Sequence, residues 1–179
     1  MTGIVLEGAL CRVRRYRSDD VDALAALAAD PLVSRWMTAG FPHPYTREDA
    51  ESFIAGATAQ SPPQHFAIEA GGEYAGGTGL MPLTGENRGV ARFGYWLGRR
   101  FWGRGIATDA ARVLTRYGLT TAGFRRLEAT VFAPNTASSR VLEKCGYTLE
   151  ARLRETYVQR DGSVCDGFVY AYLARDFTS

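Results

Sequence analysis

Apolar and polar positions along this chain switch between a period of two and a period near 3.6, and the switches mark its elements. In Cys11-Arg12-Val13-Arg14 apolar and charged residues alternate, as in a half-buried strand. Ser18 or Asp19 can then cap a helix that runs through alanine-rich sequence to Ala29, where Pro31 punctuates it. Tyr45-Thr46-Arg47-Glu48-Asp49 opens a second helix: Thr46 can accept from free first-turn N–H groups, and acidic residues suit that end. Residues 64–70 and 74–83 read as strands joined at Gly71-Gly72, a hairpin signal, and residues 90–97 as the next strand. From Gly105 the period lengthens. Ile106, Ala110, Val113, Leu114 and Tyr117 recur at helical spacing and define one buried face, with Gly118 and Gly123 near its end. Residues 127–132 read as a strand that Pro134-Asn135 ends. Residues 136–145 read as a short helix with Gly146 as its C′ residue. Residues 147–158 and 165–173 make a final hairpin around Arg160-Asp161-Gly162-Ser163. The order β-α-α-β-β-β-α-β-α-β-β predicts a mixed sheet of about seven strands with about four helices packed on it, not a repeated βα array. No repeat or low-complexity linker divides the sequence, so residues 1–179 read as one domain.

Composition changes this picture little. With 46% hydrophobic and 22% charged residues in 179, the chain is an ordinary globular one with a sizeable core. A net charge of +2 is too small to argue for nucleic acid. Almost all positive charge is arginine, Lys144 being the only lysine. The run Arg12, Arg14, Arg15, Arg17 is split between two faces by strand alternation and reads as a solvated edge. Cys11, Cys145 and Cys165 lack metal-ligand spacing and read as reduced thiols of a cytoplasmic protein. The segment Met1-Thr2-Gly3-Ile4-Val5-Leu6-Glu7 lacks the basic and apolar regions of a signal peptide, and no apolar run is long enough to span a bilayer. His43 and His65 are isolated, so no metal site is expected.

The chemistry concentrates in Trp102-Gly103-Arg104-Gly105-Ile106-Ala107-Thr108, between a strand and a long amphipathic helix. Small residues there let backbone N–H groups approach a ligand, and the first helical turn adds unpaired donors and a positive dipole end, which together suit a phosphate. The loop is neither a Rossmann turn, whose third glycine would be Thr108, nor a P-loop, which ends in Gly-Lys-Ser/Thr.

Four segments in order, Gly94-Tyr95-Trp96-Leu97, the loop just described, Asn135-Thr136-Ala137-Ser138 and Leu142-Glu143-Lys144-Cys145-Gly146-Tyr147, resemble the GNAT acetyltransferases. More narrowly they resemble the RimJ/RimL-type branch, the ribosomal-protein alanine N-acetyltransferases. The likeness extends to Asp30-Pro31 and Tyr45-Thr46-Arg47-Glu48-Asp49-Ala50, and to Arg160-Asp161-Gly162 and Asp166, so it covers nearly the whole chain. It implies the α+β GNAT fold, a mostly antiparallel twisted sheet with one splayed strand pair, and acetyl-CoA as co-substrate without a metal. The family loop Gln/Arg-x-x-Gly-x-Gly/Ala finds its small positions at Gly105 and Ala107, while Trp102 stands where Gln or Arg is usual. The resemblance therefore assigns the CoA pyrophosphate to backbone N–H groups of Arg104, Gly105, Ile106, Ala107 and Thr108, with room made by Gly103. It also places the backbone of Tyr95, Trp96 and Leu97 along the splayed gap, one N–H facing the thioester oxygen. On residue type alone, Tyr95 and Trp96 are core aromatics. Asn135 is an N-cap by type and, by resemblance, a partner of the pantetheine arm.

Acetyl transfer from a thioester to an amine needs a neutral amine, oxyanion stabilisation and a proton for the leaving thiolate. Many GNAT enzymes carry a tyrosine on the short helix as proton donor; here that position is Leu142, which cannot donate. The RimJ/RimL branch offers Asn-x-x-Ser instead, which makes Ser138 the candidate donor; its other reading is a helix-surface serine. The strand glutamate of some alanine acetyltransferases is Thr130 here. Glu128, on the same sheet face, is the candidate general base, with pairing to Arg126 or Arg92 as its other reading. Arg92 replaces a glutamate frequent in relatives and suits an acidic acceptor. The amine's proton can also leave through water, since an α-amine titrates near ~8. Residues 29–46, with Trp36, Phe41 and Tyr45, are where acceptor selection is expected, although these aromatics read equally as core. The expected activity is direct attack of a primary amine, a peptide N-terminus or a small molecule, in a ternary complex. The enzyme would act as monomer or homodimer, without nucleic acid or membrane. The alternative is a CoA-binding sensor or interaction module without catalysis.

Overall fold

The computed structural model describes residues 4–177; Met1, Thr2 and Gly3 of the N-terminal segment read above lie outside them. Strands β1 (Val5–Glu7) and β2 (Arg12–Arg14) open the chain, and β3 (His65–Ala70), β4 (Glu73–Pro82) and β5 (Val90–Leu97) form its middle. Strands β6 (Arg126–Phe132), β7 (Thr148–Val158) and β8 (Val164–Leu173) close it. They form one eight-stranded sheet in the order β1-β2-β3-β4-β5-β6-β8-β7. Neighbours are antiparallel except β5 and β6, which are joined by the crossover helix α4 (Ile106–Arg116) and run parallel. Helices α1 (Val21–Ala28), α2 (Pro31–Ser34), α3 (Arg47–Ala59) and α5 (Thr136–Lys144) complete the α+β architecture. None of the helices among the described residues is long and apolar enough to cross a membrane.

The sheet has one strand, and the chain one helix, beyond those the periodicity predicts. β1 is three residues long and only Leu6 is partly covered, too little alternation to register. At α2, Pro31 does not break a helix but starts one. It takes the first helical position, where its missing N–H costs nothing, and the Asp30 carboxylate caps the turn by accepting from Leu32 N–H at 2.9 Å. The capping role expected of Ser18 or Asp19 is not found, because Asp20 has a stronger claim on local geometry. Its carboxylate accepts from the Arg17 N–H at 2.8 Å and grips Arg14 at 2.7 and 2.8 Å. This also corrects the solvated-edge reading of the arginine run. β2 lies inside the sheet, and Arg14 is buried between Asp20 and Glu69, both at 2.7 Å. Thr46 does cap α3, in a reciprocal box with Asp49.

Two helical layers cover the sheet. On one face α4 and α5 press Ile106, Ala110, Leu114 and Leu142 against Phe66, Ile68, Phe93 and Leu127. On the other, α1 and α3 press Leu24, Ala28, Ile54 and Ala57 against Tyr16, Ala67 and Tyr74. Enclosed leucines such as Leu114 and Leu127 each contribute about 2 kcal/mol through removal of their surface from water.

The break that positions the site lies between β5 and β6. They pair only at Val90–Arg126, Ala91–Leu127 and Arg92–Glu128. Beyond Arg92, β5 stays paired with β4 as far as Leu97, and β6 stays paired with β8 as far as Phe132. The two strands therefore fork, and alternate backbone groups of β5 past Arg92 face the opening instead of a strand.

Candidate active site

The loop of residues 102–108 lies beyond the last residue of β5, on the branch that leaves the fork, and leads into α4. The Trp102 indole N–H donates to the Leu97 carbonyl at 2.8 Å, which clips the loop to the last residue of β5. Gly105 precedes α4 with φ of 81°, the left-handed region where a side chain is strained, and a Cβ there would lie 3.1 Å from Leu10. No side chain caps α4. The N–H groups of Gly103, Arg104, Gly105, Ile106, Ala107 and Thr108 find no acceptor among the described residues. They form a row of unpaired donors at the positive end of a helix, exposed at residues 103–105.

Two contacts hold this row in place. Asp109, in the first turn of α4, accepts the N–H groups of Ala9, Leu10 and Cys11 at 3.2, 2.7 and 3.1 Å. Burial works to raise its pKa, but these bonds and the Cys11 thiol outweigh it and hold the carboxyl below its ordinary value. On the far side, the Cys145 thiol donates to the Thr108 carbonyl at 3.5 Å and ties the end of α5 to the loop.

Strand alternation sends the adjacent aromatics Tyr95 and Trp96 of β5 to opposite faces. Trp96 packs edge-on against Phe41 and Tyr74, with ring centroids 5.8 and 6.2 Å away. Tyr95 turns toward α5, where its hydroxyl donates to Ser138 Oγ at 3.0 Å. Burial pushes the Tyr95 phenol up to about 12, against the lowering effect of the Ser138 bond. Asn135 caps α5 with Oδ1, which accepts from the Ser138 N–H at 3.3 Å; its amide nitrogen is left for another partner. Leu142 is packed in the core, 1% exposed, so the missing tyrosine of α5 is replaced by a structural residue.

Glu128 stands at the crotch of the fork. Its Oε2 accepts from Arg126 at 3.3 Å, whereas Oε1 lies 3.9 Å from Arg92 and accepts no hydrogen bond among the described residues. Arg126 also binds Glu150, so the arginine pairing expected for Glu128 is present and shared. On the same face Phe132 packs between Trp36 and Tyr157, at 6.4 and 4.7 Å. Arg160, from the turn between β7 and β8, donates to the Ser34 and Phe41 carbonyls at 2.8 and 2.6 Å. The segment of residues 29–46 is thus both packed and latched over one side of the sheet, with Tyr45 buried and Trp36 and Phe41 half-buried.

A family model described as acetyltransferase (GNAT) domain matches residues 11–148. The chain belongs to the GNAT acetyltransferases. It is 30% identical over 168 residues, 92% of its length and 93% of the relative's, to the uncharacterized N-acetyltransferase p20 of Bacillus licheniformis. It is similar to RimJ of Mycobacterium smegmatis in complex with CoA-disulfide, with a TM-score of 0.85 and 25% identity over 99% of this chain and 89% of that one. It has the fold of RimL, a ribosomal L7/L12 alpha-N-protein acetyltransferase in complex with coenzyme A, with a TM-score of 0.84 and 21% identity over 95% and 98% of the two chains. This GNAT protein is a RimJ/RimL-like, acetyl-CoA-dependent acetyltransferase.

Within the GNAT fold, the residues read from sequence fall in four places. Gly103 through Thr108 form the donor row, to which Trp102 is the clip, and Tyr95, Leu97, Asn135 and Ser138 border the fork. Trp96 has its side chain on the opposite face, and Glu128 sits at the closed end. Sequence reasoning missed the Asp109 clamp, the Tyr95 hydroxyl and the Arg160 latch. Asp109 had a signal, an acidic residue in the first turn of a helix; the other two join residues 43 and 126 positions apart.

Proposed function

We propose that this enzyme transfers the acetyl group of acetyl-CoA to a primary amine, a peptide α-amine or a small-molecule amine, by direct attack in a ternary complex. The observation that carries the reading is the fork between β5 and β6 opening onto the free N–H row of residues 103–108. A CoA pyrophosphate fits that row: it brings the negative charge that unpaired donors and a helix N-terminus attract, and Gly103, where a Cβ would meet nothing within 4 Å, leaves space for it. The same geometry suits an extended pantetheine arm in the fork, where it takes the place of a missing strand. Asn135, through its free amide nitrogen, and the backbone of Tyr95, Trp96 and Leu97 are the groups that would hold it.

The residues then divide the work. A backbone N–H of β5 aimed into the fork stabilises the oxyanion, an arrangement that needs no reorganisation during reaction. Glu128 Oε1 is open to the amine or to a water that carries off its proton. Ser138 donates to the departing sulfur. The acceptor enters from the side of Trp36, Phe132 and Arg160, opposite the donor loop's helix.

The test incubates the protein with acetyl-CoA and a panel of polyamines, amino acids and amino-terminal peptides, and follows free thiol. Thiol release that depends on one class of amine is expected. Saturable CoA binding with no turnover on any acceptor would favour a binding module, and absence of CoA binding would overturn the reading.

A further inference from the structure

Among the described residues, one side-chain hydrogen bond crosses the fork; it joins two hydroxyls, and its direction decides which proton faces the sulfur. Tyr95 Oη and Ser138 Oγ are 3.0 Å apart. Each hydroxyl has a single proton, so only one donates to the other and the second proton goes elsewhere. Tyr95 is packed on Phe93 at 5.7 Å and set against the core, and Ser138 is its sole hydrogen-bond partner among the described residues. If Ser138 donated, the phenolic proton would be left in a part-buried setting with no acceptor among the described residues, which has a cost that the observed direction avoids. If Tyr95 donates, the proton left over is that of Ser138, which lies at the first turn of α5 on the rim of the fork. That proton has no acceptor among the described residues: Ser138 Oγ accepts from Tyr95, and the Ser138 backbone N–H donates to Asn135. Nor does Ser138 donate back to the carbonyl one turn earlier, the usual outlet for a helical serine.

We infer that Tyr95 is a positioning residue for acetyl transfer: by donating to Ser138 Oγ it aims the Ser138 proton into the fork, toward the sulfur of the departing coenzyme A. The inference rests on the donor-site reading above. No proton passes through Tyr95. When the carbon–sulfur bond breaks, the electron pair stays on sulfur, the Ser138 O–H donates a hydrogen bond to it, and the amine's proton reaches solvent or Glu128 separately. The phenol keeps its own proton throughout, and its donation polarises the Ser138 O–H and makes it a stronger donor. This pairing stands in for the tyrosine that α5 lacks at Leu142. The phenol comes from β5 instead of α5, and it acts on the sulfur through a serine.

The experiment uses the whole protein and CoA labelled with carbon-13 beside sulfur, and follows the carbon shift of the bound ligand against pH. A donor aimed at sulfur favours thiolate, so the bound thiol titrates lowest in the wild type. Tyr95→Phe, which keeps the ring, is expected to raise it by about one pH unit. Ser138→Ala is expected to raise it similarly, and the double variant no further than either single one. By linkage, the four proteins should differ less in CoA affinity where the thiol is fully protonated than where it is a thiolate, which separates this role from a structural one. If Tyr95→Phe is too unstable to titrate, 3-fluorotyrosine at position 95, a stronger donor, should move the thiol downward. A thiol that shifts in Ser138→Ala but not in Tyr95→Phe overturns the proposal, as do additive shifts in the double variant. CoA that binds but titrates alike in every protein overturns it while leaving the donor site intact. A wild type that does not bind CoA overturns the donor-site reading itself.

Discussion

Replacing Asp109 with alanine removes the clamp between the N-terminal turn and the first turn of α4, and the structure sets what that should cost. The carboxylate accepts three backbone N–H groups, from Ala9, Leu10 and Cys11, at 3.2, 2.7 and 3.1 Å. Hydrogen bonds to a charged acceptor net about 1.5–3 kcal/mol each when sheltered. Ala9 and Leu10 are exposed, so water replaces much of what is lost, and about 1 kcal/mol per bond is the appropriate figure. The clamp is then worth about 3 kcal/mol, which in a protein of this size lowers Tm by roughly 6–12 °C. Its pH dependence has a definite sign. Burial tends to raise the Asp109 pKa, the hydrogen bonds lower it further than that, and the folded value lies below the unfolded one. The contribution is therefore complete above the unfolded carboxylate pKa of about 4 and is lost as pH falls through the folded value. Thermal melts of wild type and Asp109→Ala, recorded from neutral pH downward, should differ most near neutrality and converge in acid. Leu10 leans over Gly105, so the same variant should raise KM for acetyl-CoA more than it lowers kcat. A change in Tm within about 2 °C at neutral pH, or a difference that persists undiminished into acid, would refute the clamp.

Gly105→Glu places bulk and negative charge in the donor row at a left-handed φ of 81°, and CoA affinity measured by calorimetry should fall at least ~100-fold; retained affinity would move the pyrophosphate elsewhere. Glu128→Gln should lower kcat about 10-fold or more with little change in KM for acetyl-CoA, whereas an unchanged kcat leaves proton removal to water. Arg14→Met leaves the buried Asp20 carboxylate without a guanidinium partner, while Glu69 keeps only the longer pairings to Arg12 and Arg17 at 3.7 and 3.9 Å, and should cost about 3–5 kcal/mol in urea unfolding; a loss below about 1 kcal/mol would mean solvent reaches Asp20.

Periodicity carried most of the fold because each face of a strand or helix here is decided locally. The β3–β4 hairpin turns at Gly71 and Gly72, both at positive φ, and α4 buries Ile106, Ala110, Val113 and Leu114 at helical spacing. Where reading failed, the cause was a partner distant in sequence or an element too short to repeat. Arg14 looks like any charged strand residue until Glu69, 55 positions on, is brought beside it. The candidate site divides along the same line. Its donor loop is contiguous, so glycine spacing and the helix that follows reveal it. The residues proposed to carry its chemistry are spread around the fork, Tyr95 on one branch, Ser138 beyond the other and Glu128 where they meet. What sets them there is the point at which β5 and β6 stop pairing. That point follows from neither strand's own pattern, since residues 93–97 would alternate in the same way with a strand alongside them. The fork has a physical price: it leaves backbone groups of β5 without strand partners in the middle of the sheet. A ligand with an extended, amide-bearing arm is what can restore those bonds, so the feature least visible in the sequence is the one that most narrows the kind of molecule bound.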